Sequence, residues 1–227
     1  MQQSMIRCEG LKKSFGQQLI LENASFTIPD GELVGLYGRS GSGKSTLSKL
    51  LCGVYPPDDG EIYLDNVLLC SGKTPYERRH GLKIQMVYQQ PYSALDPRQK
   101  LGSGFYELIR YHRIAPDKKA AAAKIEALLA EVGLERDILS RLPSRISGGE
   151  AQRISIARCL LFEPRLLILD EATSMLDVST QANVLALVRR LMEKHNGSVL
   201  LISHDRELVE YICSRIYVLE HHCIRED

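Results

Sequence analysis

The spacing of apolar positions changes several times along the chain, and each spacing predicts a different element. Leu33-Val34-Gly35-Leu36-Tyr37 is apolar without alternation, as in a short strand covered on both faces. A glycine-rich turn follows, and then Leu47, Leu50, Leu51 and Val54 recur at i, i+3, i+4 and i+7, the stripe of an amphipathic helix. Ahead of that strand, Met5–Cys8 and Leu19–Ile28 read as extended, and Glu61–Leu69 does so after the helix. All three are rich in Ile, Leu, Val and Tyr and are bounded by Gly, Asn and Asp.

In the middle of the chain, Ile125, Leu128, Leu129 and Val132 form a second helical stripe, opened by Pro116-Asp117 and stopped at Gly133. From there the pattern alternates. A helix over about 148–162 ends before Pro164, and strand Leu166–Leu169 follows. A helix carrying Val184, Val188, Leu191 and Met192 leads to strand Val199–Ile202, a short helix over 205–213 and strand Ile216–Leu219. Strands alternating with helices predict an α/β fold with a parallel sheet covered on both faces. The front end predicts an antiparallel part, and residues about 95–145 a helical insertion.

Composition narrows the class only a little. At 227 residues, with 44% hydrophobic and 25% charged positions, the chain suits one compact domain or a domain with a subdomain. Lys plus Arg number 29 against 28 Asp plus Glu, a net charge of +1, which argues against a generally electropositive nucleic-acid binder. No apolar run reaches the roughly 18–20 residues of a membrane span, and MQQSMIRCEGLKK has no apolar core of a signal peptide. The expectation is a cytosolic chain, or one held at a membrane only through a partner. The six cysteines contain no CxxC pair and read as buried or free thiols, and His221-His222-Cys223 reads as a solvated tail.

Chemistry enters at the glycine-rich turn. Gly38, Arg39, Ser40, Gly41, Ser42, Gly43, Lys44 and Ser45, continued by Thr46, match G-x-x-x-x-G-K-[ST] between a buried strand and an amphipathic helix. Glycines let successive N–H groups turn inward as an anion nest, and the helix N-terminus adds the positive end of its dipole. Lys44 can reach β- and γ-phosphates, and the Ser45 hydroxyl can ligate Mg²⁺. This predicts a nucleoside triphosphate site. The apolar run Leu166–Leu169 then ends in Asp170 and Glu171. Asp170 at the end of a central strand is placed to hold Mg²⁺ through water, and Glu171 to orient and polarise an attacking water. Transfer of the phosphoryl group to water is favoured, because no second substrate pocket is evident.

Ser147-Gly148-Gly149-Glu150 is a capping box opening a helix, yet two glycines inside it cost helix propensity. They make sense if a ligand approaches the backbone closely. With Gln152 and Arg153 following, this element resembles the LSGGQ-type signature of ATP-binding cassette (ABC) ATPases, and the resemblance covers essentially the whole chain. Other family motifs occur in order. Phe15, in LKKSFG, matches the aromatic that stacks on adenine, and Gln89, in MVYQQP, the glutamine joining the Mg²⁺ site to the helical subdomain and membrane partner. Ser174-Met175-Leu176-Asp177 resembles the segment that crosses to the other subunit, and His204, in LISHD, the histidine contacting the γ-phosphate. Gln89–Arg98 is similar to a stretch of oligopeptide, dipeptide and nickel importer ATPases. Glu150 departs from the usual Gln and Asp96 from the usual Asn.

The resemblance implies a P-loop NTPase fold: a parallel-sheet α/β core, an antiparallel β subdomain and a helical subdomain at about 92–160, within one domain over 1–227. It implies ATP and Mg²⁺ as cofactors. It further implies two such domains closing on ATP, each site combining Gly38–Thr46, Gln89, Asp170, Glu171 and His204 of one chain with Ser147–Glu150 of the other. Implied partners are a second ATPase subunit (a heterodimer favoured, a homodimer possible), transmembrane permease subunits and, indirectly, a solute-binding protein, with no nucleic acid. The chain would sit peripherally on the cytoplasmic side of the cell membrane. Peptide, nickel, a metal chelate or another small solute all stay open as cargo, since the chain ends soon after its last predicted strand. An exporter or lipid-extraction ATPase and a soluble non-transport ABC ATPase are the alternatives. Around Gln89–Arg98, an apolar patch with Tyr88, Tyr92 and Leu95 is expected to receive a short permease helix.

Overall fold

Leu33–Tyr37 (β3) forms the centre of a six-stranded sheet in the computed structural model, which describes residues 4–172 and 178–227. The Ser174–Asp177 expectation therefore lies outside the described residues. Ser198–Ser203 (β8) runs parallel to β3 on one side, with Gly35 opposite Leu201, and Arg215–Glu220 (β9) does so on the other, with Gly35 opposite Ile216. Leu166–Asp170 (β7) extends the sheet parallel to β8, and Ile84–Tyr88 (β6) follows at that edge. Cys223–Glu226 (β10) closes the opposite edge, antiparallel to β9. All residues of β7 and β8 are buried, which explains their unbroken apolar runs.

A separate four-stranded antiparallel sheet has the order β2-β1-β4-β5, formed by Ser4–Phe15 (β1), Gln18–Pro29 (β2), Asp59–Leu64 (β4) and Val67–Ser71 (β5). The fold is thus mixed α/β, with a parallel core sheet and an antiparallel β subdomain. Both sheets share one core, in which Ile6, Leu21 and Ile62 meet Val34, Ile168 and Ile202. Lys44–Leu51 (α1) adds Leu47, Leu50 and Leu51, all fully buried and each contributing roughly 1.5–3 kcal/mol of transfer free energy. The fourth member of that predicted stripe, Val54, is 54% exposed. The helix has ended by then, because Gly53 turns the chain out at φ 68°.

The chain divides into two compact units. The first comprises Met1–Met86, Arg165–Glu171 and Met192–Asp227, and holds both sheets except for the end of β6. The second comprises Val87–Pro164 and Ala172–Leu191. Between β5 and β6 lies the short helix Arg78–Gly81 (α2). In the second unit, Leu101–His112 (α3) buries Leu101, Phe105 and Ile109, and packs on Lys118–Glu131 (α4). Helix α4 begins where expected, with Asp117 accepting a hydrogen bond from the Ala120 N–H (2.8 Å), and Gly133 ends it at φ 67°. Gly148–Leu160 (α5) packs against α4 in turn. Val178–Lys194 (α6) and Arg206–Ile212 (α7) are the last two α-helices among the described residues; Asp205 caps α7 by accepting from the Leu208 N–H (3.1 Å).

Three further expectations are corrected. Glu61–Leu69 is two strands, joined by Asp65-Asn66 at φ 48° and 65°, not one. His221-His222 is exposed, as expected, but forms the tight turn of the β9–β10 hairpin rather than a tail, at φ 47° and 68°. Leu95 is not part of an exposed patch: it is 8% exposed, whereas Tyr88 and Tyr92 are each 42% exposed. Leu95 lines a cleft of about 430 Å³ with Tyr92, Pro97, Pro143 and Ile146, and the Tyr92 hydroxyl donates to Ile146 O (2.9 Å). All six cysteines are free thiols, and burial pushes those of Cys159 and Cys213 up to about 12.

Candidate active site

Strands β3, β7 and β8 lie parallel in the first unit, so their carboxyl ends open on the same side of the sheet. Each run of apolar residues there gives way to polar ones. Beyond β3 the chain turns through Gly38–Gly43 into α1, whose first internal bond is Leu47 N–H to Gly43 O (2.9 Å). The N–H groups of Lys44, Ser45 and Thr46 therefore have no acceptor in the helix and point out of its end. Gly43 is the residue before the helix, at φ 110°, where a Cβ would also meet Ile20 Cγ2 at 2.9 Å. Arg39, Ser40, Gly41 and Ser45 are exposed, whereas Ser42 and Thr46 are half-buried.

Lys44 is only 5% exposed and curls back over the loop, donating to Gly38 O (2.7 Å) and Arg39 O (2.9 Å). Burial holds its ammonium below the usual lysine range, opposed by the carboxylates of Glu171 and Asp170. Asp170, the last residue of β7, accepts from the Ser45 hydroxyl (3.3 Å). Burial raises its carboxyl above the ordinary range, and hydrogen bonds from Ser45 and Ser48 oppose that rise. Ser48 is a site residue that the linear motif does not announce. It lies one helical step (i, i+3) from Ser45 and so faces the same carboxylate.

Glu171 takes a left-handed conformation (φ 50°), with its N–H bound to Ile202 O (3.1 Å). That backbone aims its carboxylate differently from Asp170. Glu171 Oε1 lies 3.5 Å from His204 Nδ1, just past β8, and 3.9 Å from Lys44 Nζ. The structure thus brings Gly38–Thr46, Asp170, Glu171 and His204 together. Phe15 ends β1 in the same unit, 43% exposed, held edge-on by Tyr55 at 5.1 Å. Gln89 follows β6 directly and is half-buried in the second unit.

Ser147–Glu150 also belongs to the second unit, and forms a complete capping box. The Ser147 hydroxyl accepts from the Glu150 N–H (3.2 Å), while Glu150 Oε2 accepts from the Ser147 N–H (2.7 Å) and hydroxyl (2.8 Å). Those bonds hold the Glu150 carboxyl below its usual range, and Arg141, at 3.5 Å from Oε1, adds to them. A Cβ at Gly148 or Gly149 would meet nothing within 4 Å, so packing within the chain does not call for glycine at either position.

Two observations bear on what this site can hold. The Ser42 hydroxyl is buried in the loop with no hydrogen-bond partner, the state of a group awaiting an acceptor. Ser45 and Asp170 offer hard oxygen ligands, which suit Mg²⁺ shared with phosphate oxygens. Among the described residues there is no group of three or more His, Cys, Asp or Glu that could hold a metal ion by itself.

The ABC transporter family model matches residues 21–174. A nickel import ATP-binding protein, NikE, of Escherichia coli O157:H7 is 38% identical over 211 residues, covering 93% of this chain and 78% of that one. An oligopeptide transport ATP-binding protein, OppF, of Streptococcus mutans is 39% identical over 210 residues, covering 92% and 68%. Among solved structures, cbiO1 from Clostridium perfringens superposes with a TM-score of 0.83 at 22% identity, over 98% of this chain and 87% of that chain. The ATP-binding cassette MJ0796, a dimer bound to ADP and Pi, superposes with a TM-score of 0.81 at 28% identity, over 98% of both chains. The chain belongs to the ABC transporter family.

Proposed function

We propose that this chain is the ATP-hydrolysing subunit of an ABC importer of the nickel or peptide type, working through separate membrane subunits. The observation that carries the reading is the convergence of Lys44, Ser45, Asp170, Glu171 and His204 at the carboxyl ends of three parallel strands. The similarity to proteins of nickel import and oligopeptide transport supports the importer, and the ADP- and Pi-bound dimer supports the nucleotide and the paired arrangement. Among the described residues no helix is long and apolar enough to cross a membrane.

In this reading the loop N–H groups and Lys44 hold the β- and γ-phosphates, and Phe15 stacks on the base. Ser45, Asp170 and Gln89 hold Mg²⁺, which when bound neutralises charge on the transferring phosphoryl group. Glu171 orients and polarises the water, accepting its proton as the water oxygen bonds to the γ-phosphorus and the bond from that phosphorus to the bridging oxygen breaks, the bridging oxygen leaving with ADP, while His204 contacts the γ-phosphate. Ser147, Gly148 and Gly149 of a second subunit cover the phosphates, and the open space over both glycines suits that approach. The second subunit is favoured as a different chain. Docking is on the cytoplasmic face of the cell membrane.

The test is phosphate release from Mg-ATP by the purified chain, together with purification from its native membrane and identification of the proteins that come with it. Mg²⁺-dependent hydrolysis and a co-purifying permease with a solute-binding protein support the reading. Absence of hydrolysis in the presence of the permease overturns it.

Glu150 supplies a separate prediction. Because its carboxylate is turned back onto Ser147, it does not face the phosphate across the dimer. Glu150→Gln is therefore expected to change ATPase activity by less than about threefold, or about 0.6 kcal/mol. Glu150→Ala should lower stability to thermal or urea unfolding by about 0.5–2 kcal/mol, the size of a lost cap. A tenfold activation by Glu150→Gln would show that the carboxylate does meet the phosphate.

A further inference from the structure

The phosphate loop is wedged between two side chains that the sequence motifs do not include. A Cβ on Gly43 would lie 2.9 Å from Ile20 Cγ2, 3.3 Å from Ile20 O and 3.6 Å from Leu219 Cδ2. A Cβ on Gly38 would lie 2.7 Å from Leu219 O. Ile20 on β2 and Leu219 on β9 therefore form the wall behind the loop, and both are joined to one feature, the turn of the β9–β10 hairpin.

Leu219 pairs with Ile224 inside that hairpin, and its turn is His221-His222. From the turn, His222 O accepts from the Glu22 N–H (2.8 Å) and His222 Nδ1 lies 3.3 Å from Ile20 O. The neighbouring Cys223 thiol donates to Glu22 O (3.5 Å). Both turn residues occupy the left-handed region (φ 47° and 68°), as a two-residue hairpin turn requires, and histidine tolerates that region better than β-branched residues do.

We propose that the His221-His222 turn is a latch on the nucleotide site: it fixes Ile20 against Gly43, and so sets the curvature of the phosphate loop. His222 acts here as a positioning residue and touches no nucleotide. The proposal rests on the reading of the loop as an ATP site. Its consequence is a separation of effects, because a displaced wall changes how well the loop fits phosphate but leaves Glu171, His204 and Asp170 on their own strands.

The test uses the full chain with three substitutions, assayed for Mg-ATP hydrolysis and for ADP affinity by calorimetry, with melting of the nucleotide-free protein in parallel. In His222→Val the β-branched side chain opposes the left-handed turn. It is expected to raise KM for ATP and Kd for ADP at least fivefold, with kcat within twofold of wild type. His222→Asn, which tolerates φ near 68° and has an amide to donate to Ile20 O, is expected to stay within twofold in all three quantities. His222→Ala removes the ring with less strain on the turn, and serves if the valine variant does not fold; a KM increase of at least threefold is expected. Unchanged KM and Kd in His222→Val, or in His222→Ala where the former does not fold, overturns the latch. So does a fall in kcat without a rise in KM, or a His222→Asn variant as impaired as His222→Val. Wild-type chain that neither hydrolyses ATP nor binds ADP would instead overturn the functional reading on which the latch rests.

Discussion

Lys44→Ala is expected to remove ATP binding, lowering affinity at least 100-fold, or about 2.7 kcal/mol, while the chain stays folded. The size follows from where the ammonium sits. It is 5% exposed and bonded to Gly38 O and Arg39 O, so it is fixed inside the loop rather than sampling solvent. A triphosphate entering the loop brings several negative charges into a site that already holds Asp170 and Glu171. With Lys44 gone, the one buried cation fixed inside the loop is lost, and the loop N–H dipoles and Mg²⁺ must offset those charges without it. The fold should survive, because the apolar face of α1 rests on Leu47, Leu50 and Leu51 and not on Lys44. Calorimetric titration with ATP and with ADP, beside a melting curve of the free protein, is the measurement. An affinity within threefold of wild type would show that the loop binds phosphate without its lysine.

The site was legible in the sequence to the extent that each of its parts is local. A buried strand that ends in a glycine-rich turn and helix, over residues 33–51, and another that ends in Asp170-Glu171 are each signals carried by one continuous stretch of chain. Parallel pairing then brings their ends together. What the sequence did not announce is what the fold brings from afar. Ile20 and Leu219 stand behind the loop from strands about 200 positions apart, and nothing in either neighbourhood marks them. Arg165 is another case. Its guanidinium meets Asp30 (3.0 Å), Asp65 (3.2 Å) and Asn196 O (2.7 Å), tying three turns of the first unit at once.

Secondary structure was missed for identifiable reasons. Strand β6 spans only five residues, Ile84–Tyr88, and with Gln85 its one clearly polar position it shows no sustained alternation, so Gly81 three residues ahead has no recognisable run to announce. Helix α3 carries its stripe at Leu101, Phe105 and Ile109, but Gly102 and Gly104 lower its helix propensity and blur the signal. Gly102 is there for space: a Cβ would lie 3.0 Å from Leu139 O. The β9–β10 turn escaped because histidines occupy positions where a hairpin turn ordinarily shows Asn or Gly.

Glu171→Gln is the second change with a large expected effect, and its direction differs from that of Lys44→Ala. The carboxylate lies 3.5 Å from His204 Nδ1 and 3.9 Å from Lys44 Nζ, on a left-handed residue directly after the Asp170 that closes β7. Glutamine has the same length and the same backbone tolerance, so the loop, Lys44 and Asp170 keep their places. Only the negative charge and the ability to accept a proton from water are lost. Removing one oriented, proton-accepting group from the reacting centre costs about 10²-fold or more in rate. ATP binding, in contrast, should be retained or strengthened, because a negative charge facing the γ-phosphate has been removed. With hydrolysis blocked and closure intact, ATP should hold the protein as a stable dimer. Phosphate release with the permease present should therefore fall at least 100-fold, and size-exclusion chromatography in Mg-ATP should show a shift to the dimer that ADP does not produce. Hydrolysis within threefold of wild type would remove Glu171 from the water-polarising role. The 3.5 Å approach to His204 would then point to the histidine as the proton acceptor, with Glu171 only orienting its ring.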